Sequence, residues 1–554
     1  MAIYTFECGC SFDVVEKDHA VTSAQTGLPS INFDIYKITY DCTRTWDMIC
    51  DGRTKGVFQL ESNLGKSWAK RIKPRDIGEL ADLCALIRPG CLKAFVAGKS
   101  MTQHYLDRKY GREKTEYLDP CLEPILKPTQ GVLVYQEQSM KIAQVVAGFD
   151  LQQADDLRKA IGKKKAGLMS QVKKSFIEGA SSEGVVTDEV AEEIFGWIEK
   201  SNRYAFNKSH AVSYAMCGYW SAYAKAHFTT NFFCSYFYYS SGKQDPQREI
   251  RELFSDCKLE DIPVKQPSLS RINTHFTIED KAIYFGLENL KSIGKNQASK
   301  FIKAVDCASE ELNKNISEFS WLEFLIYVCP NVSKTVAKTI ISCGMLSPIS
   351  DSSRNSMIYE FDILCKLTKK EKTWLQENFD SVHSLDFKDT LKKLAPTKKL
   401  GGGTSNKNRM EIIKSELHQL ENPPYDLSDD PEWIINEEDK IFGVPLTYSK
   451  VDACDTSSAN TTCKEVFNGK TGFVILAVAI NQATEYRIKK GRSKGKKMCF
   501  LHIEDATCEL DNVVVFPDCY EEFKELIYDS NTILLSGKVE RGDDSIVVKK
   551  VSQI

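Results

Sequence analysis

No stretch of the 554 residues approaches the roughly eighteen apolar residues that a membrane span requires. No signal segment stands at the start either, so a cytoplasmic protein with no membrane partner is expected. The 19 cysteines follow no framework spacing and occur singly, as in "TYDCTRTW", "DLCALIRPGC" and "YVCPNV". Reduced thiols are therefore expected, not disulfide staples. Cys8 and Cys10 in "TFECGCSF" form the closest pair. One intervening residue is too tight for the usual zinc knuckle and no second pair follows, so no metal site is expected. The P-loop, the His-Glu-x-x-His helix and the Gly-x-Ser-x-Gly elbow are also missing, which removes three large enzyme classes.

Neither sign of charge dominates: 73 Lys and Arg stand against 76 Asp and Glu, a net charge of -3. That balance argues against wholesale wrapping of nucleic acid, but the charges are segregated. Lysines cluster in "LRKAIGKKKAG" (157–167) and "YRIKKGRSKGKK" (486–497), acids in "SDDPEWIINEEDK" (428–440). Such segregation suits local phosphate-binding faces on a neutral body.

The composition, 42% hydrophobic and 27% charged, is that of a globular protein too long for one core. Residues 1–33 carry little pattern. From 34 to 242 the pattern is helical. In "VTDEVAEEIFGWIEK", Thr187 suits an N-cap, Asp188 and Glu189 suit the positive helix end, and Val190, Ile194, Phe195 and Ile198 form an apolar stripe. Two further helices are expected to end at Gly148 and Gly162. Residues 243–350 mix a strand in "TIEDKAIYFGLENL" with a helix-hairpin-helix pattern around "KSIGKNQ", whose glycine turn would offer N–H groups to a phosphate. A plain helical hairpin fits that segment equally well. Residues 351–470 read as an irregular helical linker with a flexible stretch at 398–410. From 471 to 554 the period drops to two: five short strands, with a helix between the third and fourth, suggest a small barrel of the oligonucleotide-binding type. The fold class expected is mainly α, followed by a C-terminal all-β barrel.

Two stretches carry chemistry. Arg158, Lys159, Lys163, Lys164 and Lys165 gather at a helix end, more cations than capping needs. In "NRYAFNKSHAVSY", Arg203, Asn207, Lys208 and His210 converge with Tyr204 and Phe206 where a helix capped by Ser209 would begin. Alanines at 211, 215, 222, 224 and 226 would let that helix pack closely.

"GVFQLES" (56–62), "LIRPG" (86–90), "YLDRKYGRE" (105–113), "GVLVYQEQSMKIAQVVAGFDLQQADDLRKAIGKKK" (131–165) and "FNKSHAVSYA" (206–215) together resemble the fingers of the bacterial and phage C-family DNA polymerases, the DNA polymerase III alpha type. The later order, tandem helix-hairpin-helix and then barrel, is similar too. The resemblance implies nucleotide contacts at Arg158, Lys159, Lys163, Lys164, Lys165, Arg203, Asn207, Lys208, Ser209 and His210. It implies DNA contacts at Arg88, Arg108 and Lys109, at Lys291, Gly294 and Lys295 in the hairpin, and at Arg487, Lys489, Lys490, Arg492, Lys494, Lys496 and Lys497 in the barrel. Primer-template DNA and dNTP are the implied ligands.

The departure from the family lies in the carboxylates. Polymerases of this kind join nucleotides with two Mg2+ ions on palm carboxylates, two of them in an Asp-x-Asp strand. No such strand precedes the fingers here, and Asp34 in "INFDIYK" falls in the connector after the palm. The expectation is that palm and amino-terminal phosphoesterase-like domain are absent, that no catalytic residue lies in this chain, and that Mg2+ is held by a separate palm polypeptide. A non-catalytic replication accessory is the alternative. A sliding clamp is a further expected partner, with "HSLDF" (383–387) as the nearest match to a clamp peptide.

Overall fold

The computed structural model describes residues 2–5, 8, 11–14, 34–163, 166–201, 204–394, 407–489, 491–539 and 545–554; for 2–5, 11–14, 161–163, 166–168 and 381 it describes the backbone alone. The stretch 398–406, Lys164, Lys165, Arg203 and Lys490 lie outside these residues. The chain forms two compact units, dividing near residue 229. It is mainly helical and ends in a five-stranded β domain.

The first unit opens with a hairpin, β1 (Ala2–Thr5) against β2 (Ser11–Val14), in a stretch the sequence pattern left irregular. Helices α1 (Thr43–Cys50), α2 (Asn63–Ile72) and α3 (Ile77–Leu86) follow. Asp76 caps α3 by accepting the Glu79 N–H at 2.8 Å, and nearly every residue of α3 from Leu80 onward is buried. A two-residue pair, β3 (Phe95–Val96) and β4 (Lys99–Ser100), leads into α4 (Met101–Lys109).

Then come α5 (Gln136–Ala147), α6 (Leu151–Lys163), α7 (Ala166–Glu183), α8 (Asp188–Ser201) and the 20-residue α9 (Lys208–His227). Gly148 ends α5 at φ +64°, a left-handed conformation that costs glycine no Cβ clash. Gly162, by contrast, ends nothing: α6 runs through it to Lys163. In α8, Thr187 accepts the Val190 N–H at 3.4 Å, and Ile194, Phe195 and Ile198 are buried as the stripe requires.

Two cores serve this unit. One joins α1–α4 to α9, where Ala211, Ala215, Ala222 and Ala226 are buried and Ala224 is half-buried. The other gathers residues 122–205 around Phe176 and Phe195, with ring centroids 5.3 Å apart. Gly179 permits the close crossing of α7 on α5, since a Cβ there would stand 2.2 Å from the Ala147 carbonyl oxygen.

The second unit contains α10 (Thr229–Tyr239), α11 (Pro246–Leu259) and a small sheet. In that sheet β5 (Val264–Lys265) lies parallel to β7 (Ala282–Tyr284), which pairs antiparallel with β6 (Thr277–Glu279). Asp280 and Lys281 both take positive φ, +48° and +62°, the geometry of a tight two-residue hairpin turn. The "KSIGKNQ" segment departs from two matched helices. Before its glycine stands only a 3-10 turn, Leu287–Asn289, and after it the long α12 (Lys295–Leu312) with Gly294 as N-cap.

Beyond α13 (Lys334–Ser342), the stretch expected to be an irregular helical linker holds α14 (Arg354–Lys366), α15 (Lys369–Glu377), α16 (Phe387–Leu394), α17 (Lys407–Glu421) and α18 (Pro431–Phe442). They share one core with residues 233–346, so 351–442 is not a linker. A buried ion pair pins it: Arg354 Nη1 lies 2.9 Å from Glu438 Oε1 and also donates to the Ser342 carbonyl at 3.1 Å.

The chain ends in β8 (Gly472–Arg487), β9 (Lys497–Glu504), β10 (Glu509–Val515), β11 (Thr532–Val539) and β12 (Ile546–Gln553), with α19 (Pro517–Phe523) between β10 and β11. The strands close on themselves in the order β10-β12-β11-β8-β9. Alternation does the sorting: Cys499, Leu501 and Ile503 point inward, while Phe500 faces out.

Candidate nucleic-acid interface

The donor-rich segment before α9 is held by a neck of two short extended stretches. Phe206 donates its N–H to the Val134 carbonyl at 2.8 Å, and Gln136 donates to the Phe206 carbonyl at 2.9 Å. This single parallel bridge fixes where α9 begins. The cap is Asn207, not Ser209: its Oδ1 accepts the His210 N–H at 2.9 Å and the Ser209 hydroxyl at 2.7 Å. Asn207, Lys208, Ser209 and His210 are all exposed.

The first helical N–H is already engaged. Lys208 donates it to both oxygens of the Glu137 carboxylate, at 3.0 and 2.9 Å, so an internal anion meets the positive end of α9. With the His210 N–H also engaged by its cap, the side chains and the Ser209 N–H remain as available phosphate ligands. Lys208 Nζ lies 5.7 Å from the centre of the Tyr135 ring, and the His210 ring is tilted against Tyr214 at 3.9 Å and edge-to-face with Phe206 at 5.3 Å. Arg88 lies over the other ring of the group, its Cζ 3.5 Å from the Phe206 centroid, a contact worth about 0.5–2 kcal/mol. Gly90, two residues on, leaves room for Tyr204; a Cβ there would sit 2.6 Å from Tyr204 Cβ.

Beneath this surface lies a carboxylate that the sequence pattern passed over. Asp82 is buried in α3 and accepts the hydroxyls of Tyr135 at 2.6 Å and Tyr105 at 2.9 Å. Burial pushes its carboxyl up to about 6, against the two hydroxyls and Lys208, which pull it down. The signal was an acid inside the otherwise apolar run "LADLCAL".

Other expected site residues are engaged within the chain. Arg158 and Lys159 both pair with Asp155, at 2.8 and 2.7 Å along α6, and hold its carboxyl below the usual range. Arg108 Nε binds Glu113 at 2.8 Å, in a network with His104 and Lys99; Lys109 pairs with Glu79 at 2.7 Å. Lys163 is placed by its backbone only. In the second unit Lys291 Nζ donates to the Asp439 carbonyl at 3.1 Å, while Gly294 and Lys295 are exposed at the start of α12.

On the barrel, Lys496 pairs with Asp518 and Lys497 with Glu485, both at 2.9 Å. Arg487, Lys489, Arg492 and Lys494 are exposed and form no ion pair among the described residues. Beside them Tyr486 and Phe500 are solvent-accessible, with ring centroids 6.3 Å apart. The "HSLDF" peptide is not presented as a ligand: Phe387 is buried in the core of the second unit and Leu385 packs against that core.

The known proteins that resemble this chain all point the same way. Residues 14–184 match the family model described as the bacterial DNA polymerase III alpha subunit finger domain. The chain is 31% identical over 532 residues to "DNA polymerase III subunit alpha" of Aquifex aeolicus, an alignment covering 94% of this chain and 40% of that protein. Nearly the whole chain is similar to DNA polymerase III alpha subunits. The proteins of the same name from Borreliella burgdorferi and Escherichia coli K12 are 28% and 26% identical, over 96% and 94% of this chain. The chain spans about two fifths of the length of these alpha subunits. No helix among the described residues is long and apolar enough to cross a membrane.

The Mg2+ chemistry of such polymerases needs hard oxygen ligands. Among the described residues no three carboxylates converge; the one cluster of potential ligands joins two thiols and an imidazole, a set unsuited to Mg2+.

Proposed function

We propose that this chain supplies the fingers-to-barrel part of a replicative C-family DNA polymerase. It would hold the incoming dNTP and the primer-template for metal-binding palm carboxylates, which the described residues do not gather. The carrying observation is the exposed group Asn207, Lys208, Ser209 and His210 on a rigid, alanine-packed helix, with aromatic rings behind it. Lysine and imidazole suit a triphosphate, and the rings suit a base.

The second unit supports the nucleic-acid side of this reading. Its closed five-stranded barrel with a helix between the third and fourth strands supports the oligonucleotide-binding reading, as do exposed Arg487, Lys489, Arg492 and Lys494 next to Tyr486 and Phe500. Cations that follow a backbone beside rings that stack on bases are the usual grip on single strands. Exposed Lys295 and Gly294 at the start of α12 fit a contact to duplex phosphate.

Primer extension tests the proposal. The chain alone is expected to extend nothing, and addition of a palm-containing alpha polypeptide is expected to restore synthesis; extension by the isolated chain refutes the placement of the carboxylates. Lys208→Glu is expected to weaken dNTP binding at least about tenfold, and Lys494→Glu to weaken single-strand binding more than dNTP binding. Equal effects of both variants on both ligands refute the site assignment.

A further inference from the structure

Three donor atoms far apart in sequence meet in the first unit. Cys42 is the N-cap of α1, its N–H donating to the Tyr219 hydroxyl at 3.3 Å, and it is buried. His227 is the last residue of α9, also buried, its ring 4.3 Å from that of Tyr223. Half-buried Cys8 lies between β1 and β2. His227 Nε2 stands 3.3 Å from Cys42 Sγ and 3.9 Å from Cys8 Sγ, and all three donor atoms lie within 4.8 Å of one another.

A tetrahedral zinc ion, with bonds of about 2.3 Å to sulfur and about 2.0 Å to nitrogen, spaces such ligands about 3.5–3.8 Å apart. The two sulfur–nitrogen edges already match to a few tenths of an ångström. The sulfur–sulfur edge needs to close by at most about 1 Å, well within reach of a hairpin turn.

We propose that Cys8, Cys42 and His227 bind a zinc ion that fastens the amino-terminal hairpin to the start of α1 and the end of α9. Thiolate and imidazole donors select a metal of borderline softness over Mg2+. Binding releases the two thiol protons to solvent, and two thiolates neutralise the charge of the ion, so the centre carries no net charge in its buried setting. Solvent or another donor completes the fourth position. The function is structural and independent of the polymerase reading. Two other readings of the same trio are a bare thiol–imidazole hydrogen bond and, on oxidation, a Cys8–Cys42 disulfide.

The full chain, purified under reducing conditions and stripped of metal, is titrated with Co2+ and with Zn2+. One ion per chain is expected, with a thiolate-to-cobalt charge-transfer band. Cys8→Ser, at a half-buried position on a hairpin, is expected to weaken binding at least about tenfold and to reduce that band to the contribution of one sulfur. Cys217→Ser, at an exposed thiol on α9, leaves both unchanged. Circular dichroism confirms that the Cys8 variant folds. No charge-transfer band in the parent chain, or a band indifferent to Cys8→Ser, overturns the proposal and leaves the hydrogen bond or disulfide as the reading.

Discussion

Replacing Asp82 by Asn tests the electrostatic floor of the candidate site. The carboxylate is buried between two tyrosine hydroxyls, and its folded-state pKa stands at about 6 against an ordinary 3.8. Below the unfolded value both states hold the proton and stability is full. As the pH rises, the unfolded chain releases the proton first while the folded chain retains it, so stability falls until the folded value is passed. A gap of about 2 units corresponds to about 3 kcal/mol, lost between about pH 4 and pH 6. Asn keeps the shape, accepts one tyrosine hydroxyl and donates to the other, but has no proton to lose. Urea denaturation of parent and Asp82→Asn chains in steps from about pH 4 to pH 7 measures the difference. The parent is expected to lose about 3 kcal/mol more than the variant over that window. Glu360 and Glu509, whose carboxyls burial pushes up to about 7, titrate in both proteins and cancel in the comparison. Parallel pH profiles for the two chains would refute the argument.

Two substitutions probe the supports. Gly90→Ala places a Cβ 2.6 Å from Tyr204 Cβ and is expected to cost about 1–3 kcal/mol in a thermal melt, with weakened dNTP binding because Tyr204 leads into the donor segment. Arg354→Met leaves the Glu438 carboxylate, 1% exposed in its side chain, without its counter-charge and is expected to cost about 3 kcal/mol. Adding Glu438→Gln removes that charge while the amide oxygen still accepts the Leu446 and Thr447 N–H groups, so it recovers much of the loss, and a double variant no more stable than the single one contradicts the account.

Much of the local structure was legible because it rests on local chemistry. Thr187, the α8 stripe and Gly148 were placed correctly, each depending on residues within a turn or two. The failures have the same logic in reverse. Asn207 and Ser209 are both good caps, and the choice fell to the bridge at Phe206, made with a stretch about 70 residues earlier. Gly162 looked like a stop, yet α6 continues through it, since a lone glycine costs a helix only about 1 kcal/mol. The ion pairs that the fold gives Arg108, Lys109, Arg158 and Lys159 with Glu113, Glu79 and Asp155 were not legible from the sequence pattern either. Spacing rules see only neighbours in sequence, so the approach of Cys42 and His227 to Cys8 from other elements was not legible from the Cys8–Cys10 pair.

The neck at Tyr135 and Phe206 bears on how the protein folds. Its ladder closes a loop of about 70 residues, and for a flexible chain of that length closure costs about 4 kcal/mol of entropy before any constant term. Two backbone hydrogen bonds do not offset that cost. The enclosed segment has its own core around Phe176 and Phe195, so it shortens the loop by collapsing first, and the ladder then zips between ends already close. On that arithmetic the start of α9 is expected to take its geometry only after the enclosed helices have packed.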